Sequence, residues 1–112
     1  MSSPLVSVVI LNWNGRDYLE SCIRSVLGQD YKWVEVVVVD NGSGDGSVEL
    51  VKRLFLGKGF GKVKLVENGV NLGYCVGNNI GVRNSVGEFV VTLNPDVVLE
   101  KDFVSEALKP FK

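Results

Sequence analysis

The sequence predicts an α/β fold in which helices cover both faces of a mainly parallel sheet, giving three layers in the order α/β/α. Two features of the 112-residue chain lead to this prediction. Short runs rich in β-branched residues carry almost no charge, which is typical of strands buried on both faces. Helical segments separate these runs, and strands that alternate with helices form right-handed crossovers within a parallel sheet.

The first half of the chain predicts two strands, each followed by a helix. Residues 5–11 form the first strand, and the polar segment 12–15 ends it. A helix should begin near Arg16, because apolar residues then recur at helical spacing. Its apolar face consists of Leu19, Cys22, Ile23, Val26 and Leu27. Residues 34–39 form the second strand, and the glycine-rich segment 40–47 turns the chain into a second helix.

The sequence signals for the third strand and the third helix are weaker than those for the elements before them. Residues 63–66 form a short strand, and residues 71–73 should lead into a helix that runs through roughly Ser85. Gly77 and Gly81 lie four residues apart within that helix. Glycine costs about 1 kcal/mol relative to alanine inside a helix. Two glycines on one face therefore indicate close approach to another backbone or to a ligand.

The fourth strand, residues 89–93, ends at Asn94-Pro95-Asp96, and a last short helix is expected at about residues 102–109. Pro95 has no amide hydrogen and restricts Asn94 to extended geometry, so the ladder should stop and leave Asp96 just beyond it. A carboxylate at the carboxyl end of a buried strand can hold a divalent cation against a phosphate. The same residue types are common in turns, so this triplet alone leaves open that it only turns the chain.

Polar residues also end the first two strands, as Asn12-Trp13-Asn14 and as Asp40-Asn41. The carboxyl ends of parallel strands share one edge of the sheet, so we expect these groups to converge with Asp96 on one cleft. In that cleft Trp13 could stack on a base, and Asp40 or Asn41 could bond to base or ribose edges. Asp96 would bind the metal of a diphosphate.

Composition excludes several other classes of protein. Twelve basic and 13 acidic residues give a formal charge of −1, which provides no basic face for nucleic acid. The chain has no histidine, which removes the usual serine or cysteine triad, and its two cysteines show no paired motif. The glycine spacings match neither a dinucleotide fingerprint nor a P-loop. No apolar run reaches membrane-spanning length and no signal peptide precedes the fold, so we expect a cytoplasmic location.

Several of these segments, taken together, resemble a known family. Residues 6–14, 39–47, 71–81 and 87–96 carry the resemblance, in this order along the chain. They resemble the family 2 glycosyltransferases of GT-A fold, a Rossmann-like three-layer architecture, and among these the rhamnosyltransferase-like members. The resemblance covers nearly the whole chain, from about Leu5 to Phe103.

The resemblance implies a nucleotide-diphospho-sugar donor and transfer of its sugar to a saccharide or lipid-linked acceptor. Trp13 matches the aromatic position that packs on the donor base, and Asp40 and Asn41 match the acidic pair that contacts the nucleoside. Asp96 matches the last acid of the D-x-D motif, which binds Mg²⁺ or Mn²⁺ on the diphosphate. The residues that the resemblance places at the donor are Leu11, Asn12, Trp13, Asn14, Asp40, Asn41, Gly73, Asn78, Asn79, Asn94 and Asp96.

Three of these positions depart from the pattern of the family. Asn94 stands where the first motif Asp is usual, which removes one metal-binding carboxylate. Asn41 replaces a frequent second Asp. Asn78 stands where an arginine is common, which removes a positive charge near the donor. Use of the divalent cation thus depends chiefly on Asp96.

The family's acceptor half, which carries the catalytic base, would lie beyond Lys112. We therefore expect residues 1–112 to be a single nucleotide-sugar-binding domain, the donor half of a GT-A enzyme that is weakly active or inactive alone. An uncovered sheet edge would favour a homodimer, and the full enzyme is expected at the membrane periphery. Two alternatives stay open: a non-catalytic nucleotide- or partner-binding module of the same fold, and a nucleotidyltransferase.

Overall fold

A computed structural model describes residues 3–111 of the chain. Strands and helices alternate along the chain as predicted. The elements are β1 (Val6–Asn12), α1 (Arg16–Leu27), β2 (Val34–Asp40), α2 (Ser47–Leu54), β3 (Val63–Glu67), α3 (Tyr74–Arg83), β4 (Phe89–Leu93), α4 (Phe103–Leu108) and a 3₁₀ turn (Lys109–Phe111). Among residues 3–111, no helix is both long and apolar enough to cross a bilayer.

The sheet is parallel throughout, with the strand order β3-β2-β1-β4. Val6 is in register with Val34 of β2 on one side and with Phe89 of β4 on the other. The chain runs outward from β1 to β3 and then returns past β1 to β4. The strand order therefore reverses between β1 and β4, and ligands of open α/β sheets bind at the carboxyl ends of strands at such a point.

The two faces of the sheet have separate cores, which confirms the three-layer prediction. Val8 and Ile10 of β1 belong to a core with α1, α2 and α4, whereas Val9 and Leu11 belong to a core on the α3 side. The predicted stripe of α1 is buried at Leu19, Cys22, Ile23 and Val26, and Leu27 is partly buried. Each buried aliphatic side chain contributes about 1.5–3 kcal/mol. β1 and β2, covered on both faces, are therefore the stable centre that positions the loops.

Helix α3 lies unusually close to the sheet. An ideal Cβ at Gly77 would lie 2.6 Å from Cδ1 of Leu11, and one at Gly81 would lie 2.3 Å from Cγ1 of Val9. The close approach is as predicted, but the neighbours are strand side chains, where another backbone or a ligand was expected. Any larger residue at these positions would push α3 away from β1 and β2.

β4 is less covered than the other strands. Val90 and Thr92 point to the α3 side of the sheet and are exposed, because α3 packs on β1 and β2 instead. On the other side, a cavity of about 190 Å³ lies between β4 and α4, with Val6, Leu108 and Phe111 in its wall. Within residues 3–111, β4 has a strand partner along one edge alone. The homodimer stays a prediction.

Candidate functional site at the carboxyl edge of the sheet

β1 and β2 each extend one residue further than predicted and end side by side at Asn12 and Asp40. Nδ2 of Asn12 donates to Oδ1 of Asp40 over 3.0 Å, and both residues are buried. Polar residues were expected to stop these strands. They continue the ladder because the hydrogen bond between the two side chains offsets part of the usual cost of burying them.

Ser43 completes this buried network. Its amide donates to Oδ2 of Asp40 over 2.9 Å and its hydroxyl donates to Oδ1 over 2.7 Å. The same hydroxyl oxygen accepts from Nδ2 of Asn12 over 3.2 Å. The Asp40 carboxylate thus accepts three bonds from the protein, and one lone-pair direction remains for a further donor. Ser43 was not predicted as a site residue, although an Asp followed three residues later by Ser is a recognisable side-chain-to-backbone turn signal.

The loop after β1 is fastened to the loop after β2. The Asn14 amide donates to Oγ of Ser43 over 2.9 Å, and the Gly44 amide donates to Oδ1 of Asn14 over 2.8 Å. Asn14 has φ +53°, a left-handed conformation that asparagine tolerates better than most residues. Trp13, held between Asn12 and Asn14, is 55% exposed. Its ring is therefore available to a planar ligand group.

A second carboxylate strengthens the same pair of loops. Oδ2 of Asp45 accepts from the Arg16 amide at the start of α1 over 3.0 Å. Oδ1 accepts from the amide of Ser47 over 3.0 Å and from its hydroxyl over 2.5 Å. Burial alone would raise the pKa of Asp45, but these donors outweigh it and lower the pKa. Asp45 therefore stays ionised and links the starts of α1 and α2.

The third loop of this edge precedes α3 and is held by Asn41, whose side chain is buried. Nδ2 of Asn41 donates to the carbonyl of Gly73 over 3.1 Å, so the predicted residue Gly73 lies beside the end of β2. Asn78 is half-buried, and within the described chain its Oδ1 has no hydrogen-bond partner. Asn79 is exposed. Leu11 packs under Gly77 on the α3 side of β1.

Asn94, Pro95 and Asp96 follow β4 in a tight turn closed by the Val97 amide, which donates to the Asn94 carbonyl over 3.2 Å. Asn94 and Asp96 are exposed, as the sequence predicts for residues beyond the ladder. An ideal Cβ at Gly15 would lie 2.5 Å from Oδ1 of Asn12 and 2.8 Å from Cγ of Pro95. The end of β1 and the turn after β4 therefore meet at Gly15.

Cys22 lies beneath this turn, with Sγ 3.8 Å from the carbonyl oxygen of Asn94. Burial, and secondly the charge of Asp96, raises the pKa of Cys22 to about 12. The thiol is therefore protonated at neutral pH and cannot act as a nucleophile. This agrees with its prediction as a small core residue.

The donor set after β4 suits a cation that arrives with a phosphate group. Among residues 3–111, no group of three or more His, Cys, Asp or Glu side chains could hold a metal ion. Asp96 offers one carboxylate, and Asn94 offers an amide oxygen two residues earlier. Mg²⁺ is commonly held by one or two carboxylates, with phosphate oxygens and waters completing the octahedron. Asp96 and Asn94 fit that arrangement. The two side chains provide too few ligands to hold a metal ion without a phosphate group.

Comparisons with known proteins agree with this architecture. The family model described as Glycosyl transferase family 2 matches residues 7–112. An uncharacterized glycosyltransferase of Haemophilus influenzae is 31% identical over 108 residues, which are 96% of this chain and 42% of that protein.

Solved structures with bound nucleotide sugars share the fold. The mannosyltransferase PcManGT from Pyrobaculum calidifontis, solved with GDP-Man and Mn²⁺, superposes with a TM-score of 0.89 and 30% identity, over 96% of this chain and 32% of that chain. TarS 1–349 of S. aureus, solved with UDP-GlcNAc, gives 0.81 and 25%, over 92% and 30%. The chain thus spans between 30% and 42% of the lengths of these three proteins.

Proposed function

The chain belongs to glycosyltransferase family 2, and from that premise we propose that it is the donor-binding part of a glycosyltransferase. The donor is a nucleoside diphosphate sugar, and the product carries the sugar on an acceptor hydroxyl. One observation carries the proposal. Asn12 and Asp40 form a buried pair at the ends of β1 and β2, and Ser43 bridges the two side chains. Trp13 is exposed next to Asn12, and Asp96 lies in the turn after β4, on the other side of β1, where the strand order reverses.

The base of the donor belongs at the β1–β2 side of this edge. Trp13 is exposed between two anchored asparagines, so a base can stack on it without any rearrangement of the loop. The unused lone-pair direction of Asp40 suits an N–H or O–H of the nucleoside. Both features favour a planar, hydrogen-donating ligand group over a simple sugar or lipid.

The diphosphate belongs at the turn after β4, where Asp96 and Asn94 are exposed. A Mg²⁺ or Mn²⁺ ion held there would neutralise charge on the leaving diphosphate. PcManGT, with which this chain shares its fold, was solved with GDP-Man and Mn²⁺, which supports a divalent cation here. The rhamnosyltransferase-like subtype is part of the proposal and rests on the resemblance carried together by residues 6–14, 39–47, 71–81 and 87–96.

The reaction of the whole enzyme is a displacement with inversion. An acceptor hydroxyl forms a new bond to the anomeric carbon, the bond from that carbon to the diphosphate oxygen breaks, and a general base takes the hydroxyl proton. No residue of the network at the carboxyl edge is placed as that base, and we assign it to the acceptor-binding part of the enzyme. This chain binds the donor, orients it and holds the leaving group.

Calorimetric titration of the chain with UDP, dTDP and GDP tests the proposal, each in Mn²⁺ and again in EDTA. We expect one nucleotide to bind and to lose at least about tenfold in affinity in EDTA, which corresponds to ~1.4 kcal/mol. Asp96→Asn should abolish this difference in affinity between Mn²⁺ and EDTA. Asp30→Asn is the matched control, because Asp30 is exposed and lies at the other end of α1.

Three outcomes would count against parts of the proposal. A folded chain that binds none of the three nucleotides contradicts donor binding. Binding that is the same in Mn²⁺ and in EDTA removes Asp96 from a metal site. Equal effects of Asp96→Asn and Asp30→Asn would show that net charge, and not the turn after β4, sets the affinity.

A further inference from the structure

The side chain of Asn41 is enclosed at the end of β2 and is 2% exposed. Its Oδ1 accepts from Nδ2 of Asn68 over 2.8 Å and from the Leu72 amide over 3.5 Å. Its Nδ2 donates to the Gly73 carbonyl over 3.1 Å and to Oδ1 of Asn71 over 3.4 Å. A side-chain amide has two N–H groups and one carbonyl oxygen with two lone pairs, and all of them are engaged here.

These contacts join the end of β2 to the beginning of α3. Gly73 has φ +88°, accepts from Asn41 and also accepts the first helical bond from the Gly77 amide. An ideal Cβ at Gly77 would lie only 3.0 Å from Nδ2 of Asn41. The Asn41 amide therefore lies directly beneath the first turn of α3. The position of that turn depends on it.

An aspartate in this place would not be equivalent. A carboxylate has no N–H, so one of its oxygens would face the Gly73 carbonyl and Oδ1 of Asn71, which both need a donor. Oδ1 of Asn71 is already fixed as an acceptor, because the Gly73 amide donates to it over 2.8 Å. The amide of asparagine is the one group of this size that satisfies donors and acceptors on both sides.

We propose that Asn41 is a positioning residue of the donor site, which seats residues 68–73 and the first turn of α3 against β2 and does not itself touch the nucleoside. The proposal rests on the proposed function and refines it. Asn41 acts through Gly73, which is exposed and immediately precedes α3. The resemblance to the family implies a direct nucleoside contact instead, and the two roles give different results on substitution.

Asn41→Asp separates these roles through its pH dependence. The introduced carboxylate is buried and one of its oxygens faces two acceptor oxygens, which raises its pKa, as does the adjacent carboxylate of Asp40. Nδ2 of Asn68 and the Leu72 amide donate to its other oxygen and lower the pKa, and we expect burial and the two facing oxygens to outweigh these donors. Once protonated, the introduced group regains one donor for the Gly73 carbonyl. We expect nucleotide affinity to be about tenfold weaker than in the unsubstituted chain at pH 7.5 and to recover to within about threefold at pH 5.

Asn84→Asp is the matched control. Nδ2 of Asn84 also donates to a backbone carbonyl, that of Ile80 over 2.9 Å, but at the far end of α3. The nucleotide affinity of the Asn84→Asp variant should match that of the unsubstituted chain at both pH values. The probe is whichever of UDP, dTDP and GDP binds in Mn²⁺. Amide hydrogen exchange at Gly73 and Gly77, measured without nucleotide, should be faster in Asn41→Asp at pH 7.5 after correction for intrinsic rates.

The outcomes are distinguishable. If affinity falls at both pH values while exchange at Gly73 and Gly77 is unchanged, Asn41 contacts the nucleoside and the inference is overturned. If exchange changes but affinity does not, the loop has no bearing on the donor, which also overturns the inference.

Asn41→Ala removes the donors without adding a charge. It should weaken binding at both pH values and accelerate exchange, and it replaces Asn41→Asp if that variant does not fold. A folded, unsubstituted chain that binds none of the nucleotides contradicts the proposed function itself, and the inference fails with it.

Discussion

Nδ2 of Asn12 lies 3.0 Å from Oδ1 of Asp40, and this bond joins the last residues of two neighbouring parallel strands inside the protein. The bond defines how the amide of Asn12 is turned, because the opposite orientation would place two oxygens against each other. Oδ1 of Asn12 is consequently directed away from Asp40 and has no partner within the described chain. A buried acceptor without a donor costs about 1–3 kcal/mol of stability. The protein bears this cost at Asn12, the residue whose Nδ2 holds the Asp40 carboxylate.

Asn12→Ala should lower the free energy of unfolding by about 1–3 kcal/mol. The substitution removes the bonds to Asp40 and Ser43 and leaves a small void, although it also removes the unpartnered acceptor. Nucleotide affinity should fall because Asp40 is then less well oriented. Denaturant unfolding and calorimetric titration measure the two effects.

Ser7→Ala is the control for Asn12→Ala, since Ser7 is equally buried and lies near the other end of β1. It should cost stability because its hydroxyl donates to Glu35 over 2.5 Å, but nucleotide affinity should not change. Equal losses of affinity in both variants would show that the loss in Asn12→Ala reflects general destabilisation.

Gly15→Ala should be destabilising by about 1–3 kcal/mol through crowding alone. The new methyl group would lie 2.5 Å from Oδ1 of Asn12 and 2.8 Å from Cγ of Pro95, while the φ of Gly15, −101°, is acceptable for alanine. Adding Asn12→Ala should recover part of the loss in unfolding experiments, because it removes one of the two obstacles. Gly44→Ala, which meets nothing within 4 Å, should be nearly neutral. Strict additivity of the two substitutions would show that Gly15 and Asn12 are not coupled.

Local patterns were sufficient to predict the fold. The β-branched runs predicted all four strands, and the apolar stripe of α1 predicted the side that faces the core. Such patterns report burial, and burial decides which segments pack. The errors were at strand ends, where Asn12 and Asp40 extend the ladder. A single-strand pattern cannot show that two polar residues 28 positions apart will satisfy each other.

The site was predictable in its location and much less so in its contacts. Trp13 and Asp96 are exposed at the predicted edge, because strand-end position follows from sequence order in a parallel sheet. The enclosure of Asn41 and the bridging position of Ser43 depend on how three loops meet. Those distances arise from tertiary packing, and no local spacing encodes them.

Glu35→Gln should make the free energy of unfolding depend less on pH in the acid range. Burial would raise the pKa of Glu35, but the Ser7 hydroxyl, the Val86 amide and the Lys64 ammonium group outweigh burial and lower it below its ordinary 4.5. The charged form therefore stabilises the fold fully above about pH 4.5, and this contribution shrinks as the pH falls through the lowered pKa.

The variant should lose about 1–3 kcal/mol near pH 7. It keeps an oxygen for the Ser7 hydroxyl and the Val86 amide, so the loss reflects the charge and its ion pair with Lys64, whose atoms lie 2.9 Å apart. Unfolding curves at pH 7 and pH 3.5 should differ less for the variant than for the unsubstituted chain. Parallel curves would assign the acid sensitivity to other carboxylates.

Thiol labelling should distinguish the two cysteines. Cys75 is exposed, whereas Cys22 is buried and has its pKa raised to about 12 by burial and by Asp96. A maleimide at neutral pH should label Cys75 in the native chain and reach Cys22 only when the chain unfolds. Mass spectrometry after peptide digestion reports each site. Rapid labelling of Cys22 in the native chain would contradict its enclosed position beneath the turn after β4.

The most direct test of a donor site at the carboxyl edge is a two-dimensional ¹H–¹⁵N NMR titration of the chain with the bound nucleotide and Mg²⁺. We expect amide shifts to cluster at Trp13, Ser43, Gly73 and Asp96, while the amides of Ser7 and Glu35 at the opposite edge of the sheet stay unchanged. Replacing Mg²⁺ by Mn²⁺ should broaden resonances most strongly around Asp96. Shifts centred on Ser7 and Glu35, or none in a folded chain at saturating nucleotide, would contradict a donor site at the carboxyl edge.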